Sequence, residues 1–288
     1  MFFYYKFKFN YLFNLLNIKN NKHKLPSLQK IKFYNWGFLA FVDISKVCSF
    51  KDIDNNLDFI IQFFRAFNIN LYNSQGYVVF DVVLKDFDDL NYFDMNLQDN
   101  FLCFGYDLKL DPVIVDMYKC PHVGVQGLSN CGKSVMVELA LRSLKNSNIY
   151  LVNCFENDFK SISASRIIGD DNIINFLSTI SNSYQDKITY IVIDEVNVLN
   201  RNKTISKLIE NLLSQARHFN IYLICIGQLL LKENCPYKQL FNTRVSFKSI
   251  DKSSVNSFLN CSIDRIDLSQ REFYLYSDSI YFAKTYLI

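Results

Sequence analysis

The sequence predicts an α/β fold with a mostly parallel sheet, preceded by a small α/β domain. Three observations support this prediction. From His122 onward, apolar runs typical of buried strands alternate with segments of helical periodicity. The segment GLSNCGKS, residues 127–134, lies between a predicted strand and a predicted helix. Residues upstream of 102 contain a strand–helix–strand pattern of their own. Continuous apolar strands between helices indicate a parallel sheet that is covered on both faces.

Periodicity places the elements of the main domain. Short continuous apolar runs predict strands, and apolar residues three and four positions apart predict helices. A hairpin over 102–116 leads into this domain, and shorter strands are expected at TRVSFK and in the hairpin REFYLYSDSIYFAK. The other predicted strands are 122–126, 149–154, 188–194 and 221–227, and the predicted helices are about 133–146, 171–184 and 203–219.

The chain is predicted to have three regions. They are a basic, aromatic N-terminal extension over 1–36, a small α/β domain over 37–101 and the main domain over 102–288. Within the small domain we expect a strand at GFLAFVDISKV, a helix over 52–67 and a strand over 77–84. The polar stretch KDFDDLNYFDMNLQDN closes this domain.

Composition excludes several classes of protein. The chain has 288 residues, of which 50% are hydrophobic and 20% charged, so it can build a substantial core and is not a disordered protein. Gly and Pro are scarce, which argues against a linker-rich or repeat architecture. The 8 cysteines contain no C-x-x-C pair and several lie in apolar runs. We interpret them as free buried thiols of a cytoplasmic protein rather than as disulfides or zinc ligands.

The N-terminal extension is strongly basic. Residues 1–42 contain seven Lys and no Asp or Glu. Polar residues interrupt the leader, so it lacks the roughly 18 to 20 apolar residues that cross a bilayer. Three alternatives stay open for it: a frayed or surface-packed segment, contact with DNA phosphates, or peripheral contact with an anionic membrane.

The spacing G-x-x-x-x-G-K-S indicates a phosphate-binding loop (Walker A). Gly127 and Gly132 allow a tight turn in which successive backbone N–H groups point at a phosphate, and the following helix adds its positive N-terminus. Lys133 is expected to contact the β- and γ-phosphates, and the Ser134 hydroxyl to ligate Mg²⁺. Cys131 contributes a backbone N–H, and its thiol is expected to make the loop sensitive to thiol reagents. The predicted nucleotide-binding residues are Gly127, Leu128, Ser129, Asn130, Cys131, Gly132, Lys133 and Ser134.

A second motif, YIVIDEVNVL, ends an apolar strand with two carboxylates. Asp194 is placed to hold Mg²⁺, and Glu195 to polarise an attacking water as general base. The Glu favours ATP hydrolysis over passive binding. The guanine-reading motif N-K-x-D is not visible, so ATP is preferred to GTP.

Three further polar residues are candidates for catalysis. Gln228 follows the fourth strand of the main domain, expected to lie between the first and the third, and its amide could sense the γ-phosphate or orient water; a strand-capping role is the alternative. Arg217 and Arg244 are candidates for an arginine finger supplied to a neighbouring subunit's ATP. For both arginines a structural role is equally open.

Together these segments resemble the FtsK/SpoIIIE branch of the FtsK–HerA superfamily of DNA-pumping ATPases. LCFGYDLKLDPVIVDMYKCPHVGVQGLSNCGKSV is similar to the family's hairpin and P-loop stretch, and IVIDEVNVL to its Walker B strand. QARHFNIYLICIGQ and LFNTRVSFKSIDKSSVNSFLN are similar to two later family motifs. The likeness covers about residues 38–288, with the specific motifs confined to 102–260.

The resemblance implies a RecA-like P-loop ATPase core that uses ATP and Mg²⁺. It also implies a homo-oligomeric, hexameric ring with ATP between subunits and double-stranded DNA in the channel. Basic and polar loops would grip DNA phosphates without reading bases.

The sequence departs from the family pattern at several places. The Arg-Pro that follows the family's Gln is Leu229-Leu230, and the family's I-D-P-K segment is replaced by NCFENDFK. The closing Gly-rich loop is reduced to LSQREF. Neither a four-helix membrane anchor nor a winged-helix DNA reader is visible, so we expect a short motor of a plasmid, phage or conjugative element.

The expected function is therefore ATP-dependent translocation of double-stranded DNA. Two alternatives remain open: an assembly or export ATPase of the filamentous-phage type, and an accessory protein of replication initiation that uses ATP as a switch.

Overall fold

The structure, a computed structural model, describes residues 1–263 and 265–288. The chain divides into two compact units, Met1–Asp88 and Asp89–Ile288. These bounds differ from the expected ones, because 1–36 belongs to the first unit and 89–101 to the second. The Leu287 N–H donates to the Leu90 carbonyl at 2.8 Å, and the Tyr92 N–H to the Leu287 carbonyl at 2.8 Å. Such a pairing between distant segments leaves no local pattern in the sequence.

The first unit is a four-stranded antiparallel sheet with the order β1-β2-β4-β3. Helices cover it, and their aromatic side chains pack against the sheet: the Phe9 ring lies 5.1 Å from the Phe64 ring and 5.2 Å from the Phe80 ring. Its elements are α1 (Phe2–Leu15), β1 (Ser27–Tyr34), β2 (Gly37–Asp43), α2 (Phe50–Asp54), α3 (Leu57–Phe64), β3 (Asn68–Ser74) and β4 (Tyr77–Val83).

Several of these elements differ from the expectation. The helix predicted over 52–67 is two helices, because the Asn56 amide donates to the Asp52 carbonyl at 2.8 Å and the chain turns there. β3 was not predicted, since its residues NINLYNS are mostly polar. The extension over 1–36 is ordered as α1 and β1, and Phe9, Leu12 and Phe13 of α1 are fully buried. Of the three alternatives for this extension, the structure excludes fraying.

The second unit is built on a ten-stranded sheet with the order β6-β5-β14-β13-β12-β7-β11-β10-β8-β9. The six strands from β12 to β9 are parallel, and the other four add antiparallel pairs. The strands are β5 (Phe101–Asp107), β6 (Pro112–Asp116), β7 (Val123–Gln126), β8 (Asn148–Val152), β9 (Ser165–Ile167), β10 (Thr189–Ile193), β11 (Ile221–Gly227), β12 (Thr243–Ser246), β13 (Glu272–Tyr276) and β14 (Ile280–Lys284).

The helices of this unit cover both faces of the sheet, as the continuous apolar strands predicted. Along β10, Tyr190 and Val192 belong to one hydrophobic core, and Ile191 and Ile193 to the other. The α-helices are α4 (Lys133–Arg142), α5 (Asp170–Ile180), α6 (Val196–Leu199), α7 (Lys203–Gln215) and α8 (Lys252–Leu259), and 3-10 turns cover Ala216–Phe219 and Lys238–Leu240. The mixed α/β fold with a large, mostly parallel sheet is confirmed.

The order of the central strands positions the functional residues. β11 lies between β7 and β10, as the sequence predicted for its fourth strand. All three run parallel, so their carboxyl ends meet at one edge of the sheet. Gly227 pairs with Gln126, and Ile193 with Cys225, which brings the residues after each strand to neighbouring positions.

Within the described residues, no helix has the length and apolar character required to cross a membrane.

Candidate nucleotide-binding site

The P-loop follows β7 and ends at the first turn of α4. Gly127 has a φ of 149°, Asn130 of 60° and Gly132 of 108°, and Gly132 is the N-cap of α4. A Cβ atom at Gly127 would lie 2.6 Å from the Phe247 Cβ and 3.1 Å from the Cys131 Sγ. The first glycine of the motif is therefore required both by its backbone conformation and by the space around it.

Neighbouring strand ends hold the loop on both sides. The Gly127 N–H donates to the carbonyl of Gln228 at 3.1 Å, just after β11. The Leu128 N–H donates to the carbonyl of Lys248 at 3.0 Å, just after β12. The buried Gln126 side chain makes a third hydrogen bond to these segments, because its Oε1 accepts from the Leu230 N–H at 3.0 Å. The start of the loop is thereby fixed to the two strands that flank β7.

Two side chains of the loop bond to its own backbone. The Lys133 ammonium donates to the carbonyls of Gly127 and Leu128 at 2.9 and 2.8 Å. The Cys131 thiol donates to the Leu128 carbonyl at 2.8 Å. Cys131 is only 6% exposed, and burial raises its pKa. Both features weigh against the expected sensitivity to thiol reagents, because a reactive cysteine needs exposure and a lowered pKa.

Asp194 and Glu195 follow β10 at the same edge of the sheet. Asp194 is buried, and its pKa is raised to about 6, chiefly by desolvation and also by the charges of Glu195 and Asp158. Its Oδ1 accepts from the Glu195 N–H at 2.9 Å. Glu195 has a φ of 48° and caps the start of α6, a left-handed conformation that is rare for a non-glycine residue and frequent at functional sites.

Gln228 lies between these two motifs. It is the first residue after β11, the strand between the P-loop strand and the Asp194 strand, and its side chain is exposed. Its backbone carbonyl, rather than its side-chain amide, accepts the hydrogen bond from the Gly127 N–H of the P-loop. The Gln228 side chain therefore takes no part in the hydrogen bond with Gly127. It lies at the edge of the sheet where the P-loop and the Asp194–Glu195 pair follow the two neighbouring strands.

A cavity of about 510 Å³ opens beside the P-loop. Lys133, Ser134 and other loop residues form one side of it. The loop before β13 forms another: the Arg271 N–H donates to the Cys131 carbonyl at 2.9 Å, and the Gln270 amide to the Asn130 carbonyl at 3.4 Å. The lining residues are Asn130, Gly132, Lys133, Ser134, Val135, Asp158, Gln270 and Arg271.

The two candidate arginine fingers lie away from this cavity. Arg217 is exposed in the 3-10 turn before β11, at the amino end of a seven-residue strand, so about 20 Å separates it from the P-loop edge. The Arg244 guanidinium donates to the carbonyls of Phe241, Phe258 and Gln239 at 3.0, 3.0 and 3.4 Å. These bonds support the structural alternative for Arg244.

The residues present fit a magnesium ion bound together with phosphate. Ser134 and the buried Asp194 would provide oxygen ligands, and Asp158 lies close enough to Asp194 to raise its pKa. Among the described residues, no group of three or more His, Cys, Asp or Glu side chains could hold a metal alone. Mg²⁺ needs no such group, because it is usually held by one or two protein ligands, substrate phosphates and water.

Comparison with known proteins supports the fold. No protein-family model matches the sequence, and no curated protein matches it. The pCW3 conjugation coupling protein TcpA, in a monomer form with ATPγS, has a TM-score of 0.61 at 14% identity, over 98% of this chain and 94% of TcpA. EssC (ATPases 2 and 3) from Geobacillus thermodenitrificans has a TM-score of 0.55 at 14% identity, over 69% of this chain and 46% of EssC. Thermomonospora curvata EccC (ATPases 2 and 3) has a TM-score of 0.52 at 14% identity, over 66% and 41%.

The chain has the fold of the FtsK–HerA P-loop ATPases. The resemblance inferred from the motifs is thus confirmed for the fold.

Two departures from the FtsK–HerA motifs acquire a structural meaning. NCFENDFK, which replaces the family's I-D-P-K segment, contributes Asp158 to the cavity. LSQREF, which replaces the Gly-rich closing loop, contributes Gln270 and Arg271. None of these three residues was predicted as a site residue. The only signal for them was that both segments stand where the family has a local motif.

Proposed function

We propose that this chain is a motor ATPase that hydrolyses ATP to move double-stranded DNA. One observation carries the proposal: in an FtsK–HerA fold, the P-loop, Gln228 and the pair Asp194 and Glu195 follow three adjacent parallel strands at one edge of the sheet. This order of strand ends supports a common site in which a phosphate cradle, a polar side chain and a general base act on one bound nucleotide. The fold of TcpA, a conjugation coupling protein solved with ATPγS, supports ATP as the nucleotide.

The residues have distinct roles in the proposed reaction. Backbone N–H groups of residues 127–134 hold the phosphates, and Lys133 exchanges its bonds to two loop carbonyls for phosphate oxygens. Glu195 accepts a proton from a water molecule as the water oxygen attacks the γ-phosphorus. The bond between the γ-phosphorus and the β–γ bridging oxygen breaks, which leaves ADP and phosphate. Mg²⁺, held by Ser134 and Asp194, would neutralise charge on the β- and γ-oxygens.

The oligomer and the DNA contact follow from the same proposal. We propose a homo-oligomeric ring, hexameric in its simplest form, in which each ATP lies at a subunit interface and an arginine of the neighbour completes the site. Arg217 suits this role better than Arg244, because it is exposed while the Arg244 guanidinium is bonded to three carbonyls. The ring would grip DNA in its channel through the DNA phosphates. We place this ring in the cytoplasm, where it would serve a plasmid, phage or conjugative element.

The test is the ATPase rate of the purified chain with duplex DNA, with single-stranded DNA and without DNA. The proposal predicts stimulation by duplex DNA that is lost in Lys133→Ala. Lys187→Ala removes an exposed lysine of the same unit and is the matched control, which should behave as wild type. Stimulation only by single strands would favour an export ATPase of the filamentous-phage type. ATP binding without hydrolysis under every condition would favour the replication switch and contradict the motor.

A further inference from the structure

Helix α1 has two apolar faces, of which the first unit buries only one. Phe9, Leu12 and Phe13 are fully buried against the sheet of this unit. On the opposite side, large apolar side chains remain in solvent with exposed fractions of 50 to 81%. We call them the outer stripe: Phe3, Tyr4, Phe7, Tyr11 and Leu15.

The residues of the stripe lie along one face of the helix, which they share with the exposed Asn14. Positions 4, 7, 11 and 15 follow the i, i+3, i+7 spacing of one helix face, and Phe3 lies one turn from Phe7. The packed face holds the helix in place, since the Phe9 ring contacts Phe64 and Phe80. The outer stripe therefore cannot turn into the core of its own unit. Exposed apolar patches of this kind mark interaction surfaces.

The end of α1 leads into a basic loop. The Asn17 N–H donates to the Asn14 carbonyl and the Ile18 N–H to the Phe13 carbonyl, at 3.0 and 2.9 Å, with Asn17 in the left-handed region. This pair of bonds is a Schellman motif, which ends the helix and sets the direction of the next residues. We call residues 19–24 the lysine loop.

A single side chain shapes the lysine loop. The Asn20 Oδ1 accepts from the Lys22 and Lys24 N–H groups at 2.9 and 3.0 Å, and its amide donates to the Lys46 carbonyl at 2.9 Å. The loop and the segment of Lys46 line a shallow, open cleft of about 670 Å³. Its lining residues are Lys19, Asn20, Asn21, Lys22, Lys24, Lys46 and Val47. Four of these seven residues are lysines, and the charge of one of them, Lys24, also interacts with the Asp43 carboxylate.

We propose that α1 and the lysine loop bind the surface of an anionic membrane, with the outer stripe inserted among the acyl chains and the lysines on the lipid phosphates. A helix that lies in the membrane interface combines an apolar face with nearby Lys or Arg, which this segment does. Lys6 on α1 is exposed and adds to the charge, and residues 1–42 contain no acidic side chain. Membrane contact through the N-terminal extension, open from the sequence, thus acquires a specific surface.

Charge and hydrophobicity together favour this occupant over two others. Duplex DNA would satisfy the lysines but would leave the outer stripe in water or against a polar backbone. A second copy of the chain could cover the stripe, but a symmetric contact would also bring two lysine loops of like charge toward each other. An anionic bilayer provides both negative headgroups and an apolar layer.

The test is co-sedimentation of the full chain with vesicles, without nucleotide. We expect binding to vesicles of equal parts phosphatidylglycerol and phosphatidylcholine, and weak binding to pure phosphatidylcholine. Phe3→Ser combined with Phe7→Ser should lower the partition coefficient by about tenfold or more. Tyr184→Ser, at a residue that is 69% exposed in the second unit, is the matched control and should change nothing.

Charge reversal tests the second half of the proposal. Lys19→Glu, Lys22→Glu and Lys24→Glu together should lower binding to anionic vesicles by at least tenfold, and added salt should weaken wild-type binding. Circular dichroism and the ATPase rate without vesicles should match wild type, so a failure here is distinct from a failure of the proposed motor. Unchanged vesicle binding in both variants would overturn the proposal. So would a loss of duplex DNA binding alone, or a loss of self-association alone, with vesicle binding intact.

Discussion

The backbone N–H of Arg271 donates a hydrogen bond of 2.9 Å to the carbonyl of Cys131. It joins the loop before β13 to the P-loop, 140 positions earlier in the chain. Arg271 has a φ of 70°, and its guanidinium bonds to the Asp89 carboxylate at 2.7 Å and to the Thr285 carbonyl at 3.1 Å. A residue at one wall of the cavity beside the P-loop is thus held by the residue that follows the last strand and by the first residue of the unit.

Loss of this side chain should loosen the cavity without unfolding the unit. We expect Arg271→Ala to raise the Kd for ATP severalfold, because the backbone loses the anchor that keeps its bond to Cys131. Asp89→Asn removes the charge partner that Arg271 shares with Lys284 but keeps the Arg271 side chain, and it should have a smaller effect in the same direction. Nucleotide binding by calorimetry measures both. Arg265→Ala, in the same segment but outside the cavity lining, should bind ATP as wild type does.

Glu195→Gln should separate binding from chemistry. The amide keeps the size of the side chain but cannot accept a proton, so the hydrolysis rate should fall about 100- to 10,000-fold while ATP binding persists. Single-turnover kinetics measure the hydrolysis rate, and a binding assay on the same preparation measures the affinity for ATP. Glu233→Gln, on the loop after β11, is the control. Equal loss of binding and hydrolysis in Glu195→Gln would contradict the role of general base.

Gly127→Ala should destabilise the second unit as well as abolish nucleotide binding. The added Cβ would lie 2.6 Å from the Phe247 Cβ at a φ of 149°, so we expect a loss of about 2–4 kcal/mol in the free energy of unfolding. Gly76→Ala is a useful comparison, because Gly76 also has a positive φ, of 82°, but no atom within 4 Å of the new Cβ. It should cost about 1 kcal/mol. Urea unfolding measures both, and equal losses would contradict the steric argument.

The two arginines should behave differently in mixtures with wild type. Arg244→Ala leaves three backbone carbonyls without their donor, so we expect a loss of about 2 kcal/mol in stability and an activity of mixtures that follows the share of wild type. Arg217→Ala should leave stability unchanged, because the side chain is exposed, and should poison mixed assemblies if it completes a neighbour's site. Poisoning by Arg244→Ala with intact stability would reverse the assignment.

Acid should destabilise the second unit through His122. This buried side chain accepts from the Leu223 N–H at 3.1 Å through its Nδ1 atom, and burial, with a contribution from Arg217, lowers its pKa from 6.5 to about 4. Between these values the unfolded chain binds a proton that the folded chain does not, so stability falls as the pH falls. At pH 5 this titration lowers the free energy of unfolding by about 2 kcal/mol relative to neutral pH.

His122→Asn isolates this contribution from the titration of carboxylates. Asn retains an acceptor for the Leu223 N–H and tolerates the φ of 63° at this position. Urea unfolding of both proteins at pH 7.5 and pH 5 should show a smaller loss of stability in the variant, by about 2 kcal/mol. Parallel pH profiles of the two proteins would exclude His122 as the source.

Local information in the sequence determined the parts of this protein. Apolar runs bounded by turns predicted β7, β10 and β11 because buried strands need a continuous apolar stretch. The P-loop and the Asp194–Glu195 pair were visible because their chemistry requires particular residues at adjacent or fixed positions. The order of strands β7, β11 and β10 was also predicted, because this order is usual in proteins with these motifs.

Only the tertiary structure decided how distant segments complete the site and the surface. Asp158, Gln270 and Arg271 come to the P-loop through loops whose sequences carry no period and no motif. The two arginines could not be distinguished until the carbonyls around Arg244 were known. In the sequence, helix α1 is an apolar leader interrupted by polar residues. Two of its faces carry apolar side chains, and only packing shows which face the core takes. Long-range hydrogen bonds and side-chain packing select among such alternatives, and neither leaves a local trace in the sequence.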